Sequence, residues 1–308
     1  MVLGHPKLKR KTIFPGEIYM LTDNGLVFFI KDTDNAFFIE RTGDKVSVDI
    51  EELTYRKTLH TAKGTVIGGL QSSIKNKTDS IDIAQKFMNA FLLEYDLRRD
   101  IQKNAQFELQ YEKKFLGKHF IQYGEVLYAA LDIRGEKIEK DFVHFQGGGA
   151  FLYRNPKKLK EKDFYAPVDY LNISSLYQPR RRHPITKRII PHLGVDFALP
   201  KGSPIYSTAD GKVIRFGKNR AAGRYVVIKH KNGYTSFYNH LHTLEPLSKG
   251  QRVSAGDKIG SMGCTGYCTK PHLHFAMKKN GRYIDPAPMI YPYPYTQNEI
   301  IQAHLSEY

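Results

Sequence analysis

The chain has 308 residues, of which 41% are hydrophobic and 25% charged, so its composition indicates a folded protein of two or three domains and excludes a disordered one. Its apolar runs are too short for a transmembrane helix, and its basic start lacks the apolar segment of a signal peptide. Residues 1–150 carry 22 Lys+Arg against 21 Asp+Glu, whereas the remainder carries 25 against 10. The basic second half predicts attraction to a polyanion, either a nucleic acid or an anionic cell-wall polymer, and charge alone does not choose between them.

The front of the chain has the pattern of a small antiparallel β domain. Four strand-like runs, EIYML, LVFFI, AFFIE and KVSVDI, are separated by the turn-forming segments TDNG, DTDN and RTGD. We therefore expect a β domain over residues 1–57.

A mixed domain is expected over residues 58–165. Asp79 or Ser80 can cap a helix in which Ile83, Phe87 and Phe91 recur at helical spacing. The strand-like segments QFELQYEKKF, EVLYAALDI and KDFVHF follow, and the lysine-rich RNPKKLKEKDF marks the boundary. These patterns predict a helix-plus-sheet domain.

The pattern in the last part of the chain predicts short strands and glycine turns. No segment after about residue 190 has the apolar spacing of a helix. We therefore expect an all-β domain over residues 166–290, an antiparallel sheet or sandwich. A C-terminal tail is expected over residues 291–308, and the Tyr-Pro alternation at 291–295 predicts an extended segment that packs on the surface. The fold class predicted for the whole chain is α+β, with an all-β C-terminal catalytic domain preceded by two smaller domains.

Three histidine motifs lie in this β region. His192 and Asp196 form an H-x-x-x-D pattern, which alone is more often a hydrogen-bonded loop pair. His272 and His274 form H-x-H, and because residues i and i+2 of a strand face the same side, their imidazoles share one space. His240 follows in a strand-like Tyr-Asn-His-Leu segment.

Together the motifs supply two imidazoles and one carboxylate, from His192, Asp196 and His274. Three such ligands with a fourth position open to water are typical of a catalytic zinc site, whereas a structural site is closed by four ligands. No H-E-x-x-H pattern is present, which excludes the thermolysin-like and metzincin classes. Zn²⁺ is therefore the expected cofactor.

The same residues carry a resemblance to a known family. The segments HLGVDFALPKGSPIYSTADGKVI, YVVIKHKNGYTSFYNHLH and KGQRVSAGDKIGSMGCTGYCTKPHLHF resemble the lysostaphin/LytM-type zinc peptidases, which cleave peptidoglycan peptide cross-links. The preceding segment ISSLYQPRRRHPITKRIIPH and, more loosely, residues 64–165 resemble parts of the Gram-negative murein DD-endopeptidases and cell-shape-determining peptidases. The resemblance implies that His192, Asp196 and His274 bind zinc and that His240 and His272 are catalytic.

The resemblance also implies the reaction and its place. It implies hydrolysis of D-Ala–meso-diaminopimelate cross-links, with D,D-carboxypeptidase activity at the same carbonyl, in the periplasm or cell envelope after loss of a leader or anchor. Peptidoglycan is the expected partner, and a nucleic acid is not. The alternative is a non-catalytic LytM-type protein that binds peptidoglycan or regulates other hydrolases; such proteins typically lack metal ligands.

Two further expectations concern control and redox state. In related multidomain enzymes an N-terminal domain can place a carboxylate on the zinc, and the candidates here are Glu17, Glu40, Glu51 and Glu52. The alternative is that the N-terminal domain is a separate module that binds the cell wall or a partner. Where the family has Ser, Thr and Gly before H-x-H, this chain has Cys264 and Cys268. These two cysteines can be paired or free, depending on the compartment.

Overall fold

The computed structural model of the chain describes residues 18–30, 34–145, 148–181 and 189–306. Over these residues it is mostly antiparallel β structure with a few helices. An all-β region that contains the three histidine motifs follows two smaller sheets, one of which carries helices, and this confirms the predicted fold class. No helix among the described residues is long and apolar enough to cross a bilayer.

The first sheet contains four consecutive strands in the order of the chain: β1 Tyr19–Thr22, β2 Gly25–Phe29, β3 Asn35–Thr42 and β4 Lys45–Glu52. Each strand pairs with the next, as the turn-forming segments predict. Val27, Phe29 and Ala36 from this sheet pack with Tyr55 and with Ile121 of the second sheet.

The second sheet also follows chain order, with two helices inserted after its first strand. Its elements are β5 Arg56–Thr65, α1 Leu70–Thr78, α2 Ile81–Asn89, β6 Gln106–Leu116, β7 His119–Ile133, β8 Glu136–Phe145 and β9 Gly148–Tyr153. The predicted helix is α2, and Ser80 caps it by accepting a hydrogen bond from the Ile83 N–H at 3.2 Å. Ile83 and Phe87 lie in the core of this unit.

The remaining strands form an eight-stranded and a three-stranded sheet. They are β10 Ile173–Ser175, β11 Val195–Phe197, β12 Pro204–Tyr206, β13 Gly211–Asn219, β14 Gly223–Lys229, β15 Tyr234–Leu241, β16 Thr243–Leu244, β17 Arg252–Val253, β18 Lys258–Ser261, β19 Leu273–Lys279 and β20 Arg282–Ile284. The large sheet has the order β10-β11-β19-β15-β14-β13-β17, with β20 paired to β19, and the small sheet has the order β12-β18-β16.

The side chains on one face of the large sheet form the core of this region. Val213 on β13, Ile228 on β14, Ser236 on β15 and Met277 on β19 lie in one row of paired residues, and each is fully buried. Because side chains alternate along a strand, the neighbouring residues face the opposite side. Asp196 and His274 are on that opposite face, where they are paired across β11 and β19.

The prediction that no helix follows residue 190 was wrong. Residues Asn298–Ser306 form α3, and Tyr293 and Ile301 are buried against Ala150 and Leu152 of β9. Only Ile301 of this nine-residue helix is buried, and its apolar position is repeated at helical spacing only by the partly buried Leu305, a pattern too short to predict a helix. The proposed domain boundaries after residues 57, 165 and 290 stay predictions.

Candidate metal centre and active site

The side chains of His192, Asp196 and His274 lie close together where β11 pairs with β19. Asp196 lies on β11 directly opposite His274 on β19, so both side chains leave the same face of the sheet. His192 lies in the segment before β11. The main-chain N–H and C=O groups of His192 both bond to Gln178, with the donated bond 2.9 Å and the accepted one 2.8 Å long, and this fixes the segment.

The ligand atoms of these residues form a compact triangle. Asp196 Oδ1 lies 2.8 Å from His274 Nδ1 and 3.0 Å from His192 Nε2, and the two ring nitrogens are 3.1 Å apart. In a tetrahedral zinc site with bonds of about 2.1 Å, neighbouring ligand atoms are about 3.4 Å apart. The donor types and their spacing therefore fit a small divalent metal ion, and these are the residues that would hold it.

Hydrogen bonds behind His192 orient its ring toward that triangle. Its Nδ1–H donates to the Leu176 carbonyl at 2.6 Å, with Ser175 Oγ at 3.2 Å. A donor on Nδ1 leaves the lone pair of Nε2 for a metal, which is how outer contacts set the tautomer of a ligand. His192 is only 6% exposed, so the ring has little freedom to turn away.

The electrostatics keep the carboxylate ionised. Burial raises the pKa of Asp196, but the hydrogen bonds from His192 and His274 outweigh it and hold this pKa far below its usual value. Burial lowers the pKa of His192, whereas the Asp196 carboxylate raises it more, so the net shift is upward. A metal ion at this site would displace the protons in the hydrogen bonds between Asp196 and the two histidines. It would therefore bind more weakly in acid, where protons compete for the same atoms.

His240 and His272 lie beside the triangle rather than in it. Their ring centroids are 4.8 Å apart, and His272 Nε2 is 4.0 Å from Asp196 Oδ1. His240 Nδ1 donates to the Thr265 carbonyl at 2.8 Å, and His272 Nδ1 donates to the Lys270 carbonyl at 2.8 Å. In both rings this leaves Nε2 as the acceptor, free of those carbonyls.

The backbone of His240 is unusual. Its φ of 65° lies in the left-handed region, which costs a non-glycine residue roughly 1–3 kcal/mol. The His240 N–H donates to the Ala222 carbonyl at 2.8 Å, which holds the residue in this conformation. Burial and the nearby His272 and His274 lower the pKa of His240, so its ring is neutral near pH 7.

All five predicted site residues thus lie in one cluster, and their roles stay predictions. Sequence reasoning missed the supporting residues. A Cβ on Gly194 would lie 2.5 Å from the Phe275 carbonyl oxygen and 2.9 Å from His274 Cε1, so only glycine fits there. The contacts of Leu176 and Thr265 use backbone carbonyls, which any residue type supplies.

The segment between β18 and β19 contains a disulfide that the sequence left open. Cys264 and Cys268 are bonded, with their Cα atoms 5.2 Å apart. Thr265 lies inside the closed loop, and its Oγ1 donates to the Leu241 carbonyl at 2.8 Å. The loop thus supports the strand end that carries His240.

The segment that carries the five site residues is similar to a known protein family. Residues 190–286 match Peptidase family M23. Peptidoglycan DD-endopeptidase ShyB of Vibrio cholerae is 30% identical over 288 residues, which are 90% of this chain and 66% of that protein. Peptidoglycan DD-endopeptidase ShyA of the same organism is 37% identical over 188 residues, which are 61% of this chain and 43% of that protein.

A solved structure described as a zinc-containing peptidase from Vibrio cholerae shares 29% identity, with 93% of this chain and 89% of that chain covered and a TM-score of 0.40. The segment that matches Peptidase family M23 contains the histidine–aspartate group. The chain carries a peptidase family M23 domain of the LytM type. It spans 66% of the length of ShyB and 43% of that of ShyA.

Proposed function

We propose that the chain is a zinc-dependent peptidoglycan endopeptidase that hydrolyses D-Ala–meso-diaminopimelate cross-links, with D,D-carboxypeptidase activity at the same site. The observation that carries the proposal is the convergence of His192, Asp196 and His274, with His240 and His272 beside them. The names of the Vibrio relatives support the substrate class. The site of action would then be the periplasm or cell envelope.

The residues of the site hold the metal and orient the two remaining imidazoles toward it. Zinc held by His192, Asp196 and His274 supplies Lewis acidity, which lowers the pKa of an attacking water and polarises the scissile carbonyl. The Thr265 and Lys270 carbonyls fix His240 and His272 in the tautomer whose Nε2 accepts a proton.

These two imidazoles perform the proton transfers. One takes the proton of the attacking water as its oxygen bonds to the carbonyl carbon, and passes it to the leaving amine when the C–N bond breaks. The other, in protonated form, donates a hydrogen bond to the carbonyl oxygen as negative charge develops there. The lowered pKa of His240 suits the first task.

Digestion of purified sacculi, followed by mass spectrometry of the released muropeptides, tests the proposal. We expect cross-linked dimers to be converted to monomers, one zinc bound per chain, and loss of both activity and metal on chelation. The Asp196→Ala variant is the inactive control. Intact dimers with the metal-loaded chain would contradict the proposal, and tight binding to sacculi without cleavage would favour the non-catalytic alternative.

Latency through the N-terminal domain is a further part of the proposal, and it rests on the resemblance. Glu17 lies outside the described residues, whereas Glu40, Glu51 and Glu52 are exposed on β3 and β4. Among the described residues, none of these three forms an ion pair with a site histidine. If an N-terminal carboxylate covers the metal, removal of residues 1–57 accelerates cleavage of sacculi; an unchanged rate contradicts latency.

A further inference from the structure

The outer face of the large sheet carries a row of cations that the proposed reaction does not use. Lys212 on β13 is paired with Arg252 on β17 and with Lys229 on β14. The row continues through Thr235 on β15 to Lys278 on β19. Directly paired residues project from the same face of an antiparallel sheet, so these side chains lie side by side. We call Arg252, Lys212, Lys229 and Lys278 the basic row.

The basic row faces away from the core. The neighbouring residues Val253, Val213, Ile228 and Met277 are buried, and side chains alternate along each strand. Arg252, Lys212 and Lys229 are exposed, and Lys278 is partly buried. Within the described part of the chain, no carboxylate lies within ion-pair distance of these four side chains.

Such an arrangement costs stability. Like charges directly opposite each other on neighbouring strands repel, and the strands are only about 4.8 Å apart. The fold therefore gains nothing from placing Arg252, Lys212 and Lys229 on three adjacent strands without acidic partners. An anionic ligand would relieve this repulsion.

The row lies on the same face as the candidate metal centre. His274 and Lys278 are on one strand with even spacing, so both side chains leave the same side of β19. Four residues of strand separate them by about 13 Å. A polymer bound across the metal centre can therefore continue over this face and reach the basic row.

An aromatic group borders the row at its β20 end. Lys278 Nζ lies 4.4 Å from the ring centroid of Tyr283 and 5.4 Å from that of Phe237. These rings hold the ammonium group by cation–π contacts and give the face a flat apolar edge. The combination suits a ligand with both carboxylates and apolar surface.

We propose that the basic row binds the carboxylates of peptidoglycan peptide stems on the same polymer as the bond that is cleaved, so that the sheet face extends the substrate site. The inference rests on the proposed function for the choice of polymer. The shared face with the metal centre favours the substrate itself over a nucleic acid or a lipid surface, either of which would need no such alignment.

The test compares a triple variant, Lys212→Gln, Lys229→Gln and Arg252→Gln, with a control in which Lys45, Lys75 and Lys118 become Gln. The control lysines are exposed, at the start of β4, on helix α1 and in the turn between β6 and β7, and both variants lose the same net charge. Binding of the full-length chains to sacculi is measured by co-sedimentation in EDTA, which prevents cleavage, over a range of NaCl concentrations. Duplex DNA and phosphatidylglycerol vesicles are the other two ligands.

We expect the triple variant to bind sacculi about tenfold or more weakly and the control less than about twofold more weakly, with the difference shrinking at high salt. The Tm of the triple variant should equal or exceed that of the wild type, because the substitutions remove the repulsion between the cations on neighbouring strands. Equal binding of the two variants would overturn the inference, as would selective loss of DNA or vesicle binding. Failure of the wild type to cleave dimers would contradict the proposed function alone, since this assay measures binding.

Discussion

His240 differs from the three candidate ligands in what its ring contacts. Its Nδ1 is bonded to the Thr265 carbonyl, and its ring centroid lies 6.1 Å from that of His274. We therefore expect His240→Ala to keep its zinc content and its Tm while activity on muropeptides falls by about a hundredfold or more, the scale of losing a general base or an oxyanion donor. Metal analysis, thermal unfolding and initial rates measure the three quantities.

The matched comparison is Asp196→Ala, which removes the oxygen that lies within 3.0 Å of both ring nitrogens. We expect this variant to lose zinc as well as activity, because a three-ligand site cannot tolerate loss of its only carboxylate. If His240→Ala loses zinc to the same extent, the division into ligands and catalytic histidines is wrong. If it cleaves at the normal rate, His240 is a packing residue.

The sequence could indicate the five residues that cluster in the structure because histidine and aspartate carry their chemistry in their side chains, and the roles of these residues stay predictions. Spacing placed His272 and His274 together, and motif order added His192, Asp196 and His240. The residues that support these five side chains could not be predicted in the same way. Gly194 acts through the absence of a Cβ, and Leu176 and Thr265 act through carbonyl oxygens. Such contacts depend on the path of the backbone, which spacing alone does not give.

At the scale of elements, the loop between β18 and β19 contains both the disulfide and the residue that accepts a hydrogen bond from His240. The Cys264–Cys268 bond closes a five-residue ring that contains Thr265, the partner of His240. We expect the double variant Cys264→Ser, Cys268→Ser to keep its zinc but to lose about tenfold in kcat, because small misplacement of a catalytic group is costly. Its unfolding free energy should fall by no more than about 2 kcal/mol, the value for so short a loop.

Reductant provides the control for this prediction. Wild-type protein treated with dithiothreitol should match the double variant in kcat, whereas the double variant itself should not respond to the reagent. Full activity of the reduced wild type would show that the loop keeps its shape without the bond. Zinc content must be measured in each sample, since thiols also bind this metal.

The helices show where sequence patterns succeed and fail. Ser80 and the spacing of Ile83 and Phe87 predicted α2, because a capping hydroxyl and an apolar stripe are both visible in the sequence. Helix α1 begins at Leu70, its N-cap residue Gly69 has no side chain that could cap it, and most of its nine residues are polar. Helix α3 is held by tertiary packing of Ile301 against β9, a contact that no local pattern records.

At the scale of the whole molecule, a buried charge cluster joins parts that are distant in sequence. Glu94, after α2, pairs with Lys140 on β8 and with Lys162 in the segment before β10. The Lys162 ammonium also donates to the Ile290 carbonyl at 3.0 Å, just after the segment that matches the peptidase family. The Lys140 side chain is only 2% exposed, so Glu94 is its essential counter-charge.

The cluster predicts acid sensitivity of the fold. Burial raises the pKa of Glu94, but Lys140 and Lys162 outweigh it and hold this pKa below its ordinary value of 4.5. A lowered carboxyl pKa contributes stability that is present above pH 4.5 and is lost as the pH falls through the folded-state pKa. We therefore expect the Tm to fall more steeply below this pH than it does near neutrality.

The variant Glu94→Gln isolates the contribution of the cluster. It leaves Lys140 buried without a counter-charge, so we expect unfolding free energy to fall by about 3–5 kcal/mol at neutral pH. Glu136→Gln is the control, because Glu136 is 64% exposed in its pair with Lys158 and should cost less than about 1 kcal/mol. The difference between wild type and Glu94→Gln should shrink as the pH falls below 4.5, since protonation then removes the same charge from the wild type. Denaturant unfolding of all three proteins from neutral pH to pH 3 measures this, and a difference that stays constant with pH would show that Glu94 acts through packing rather than through its charge.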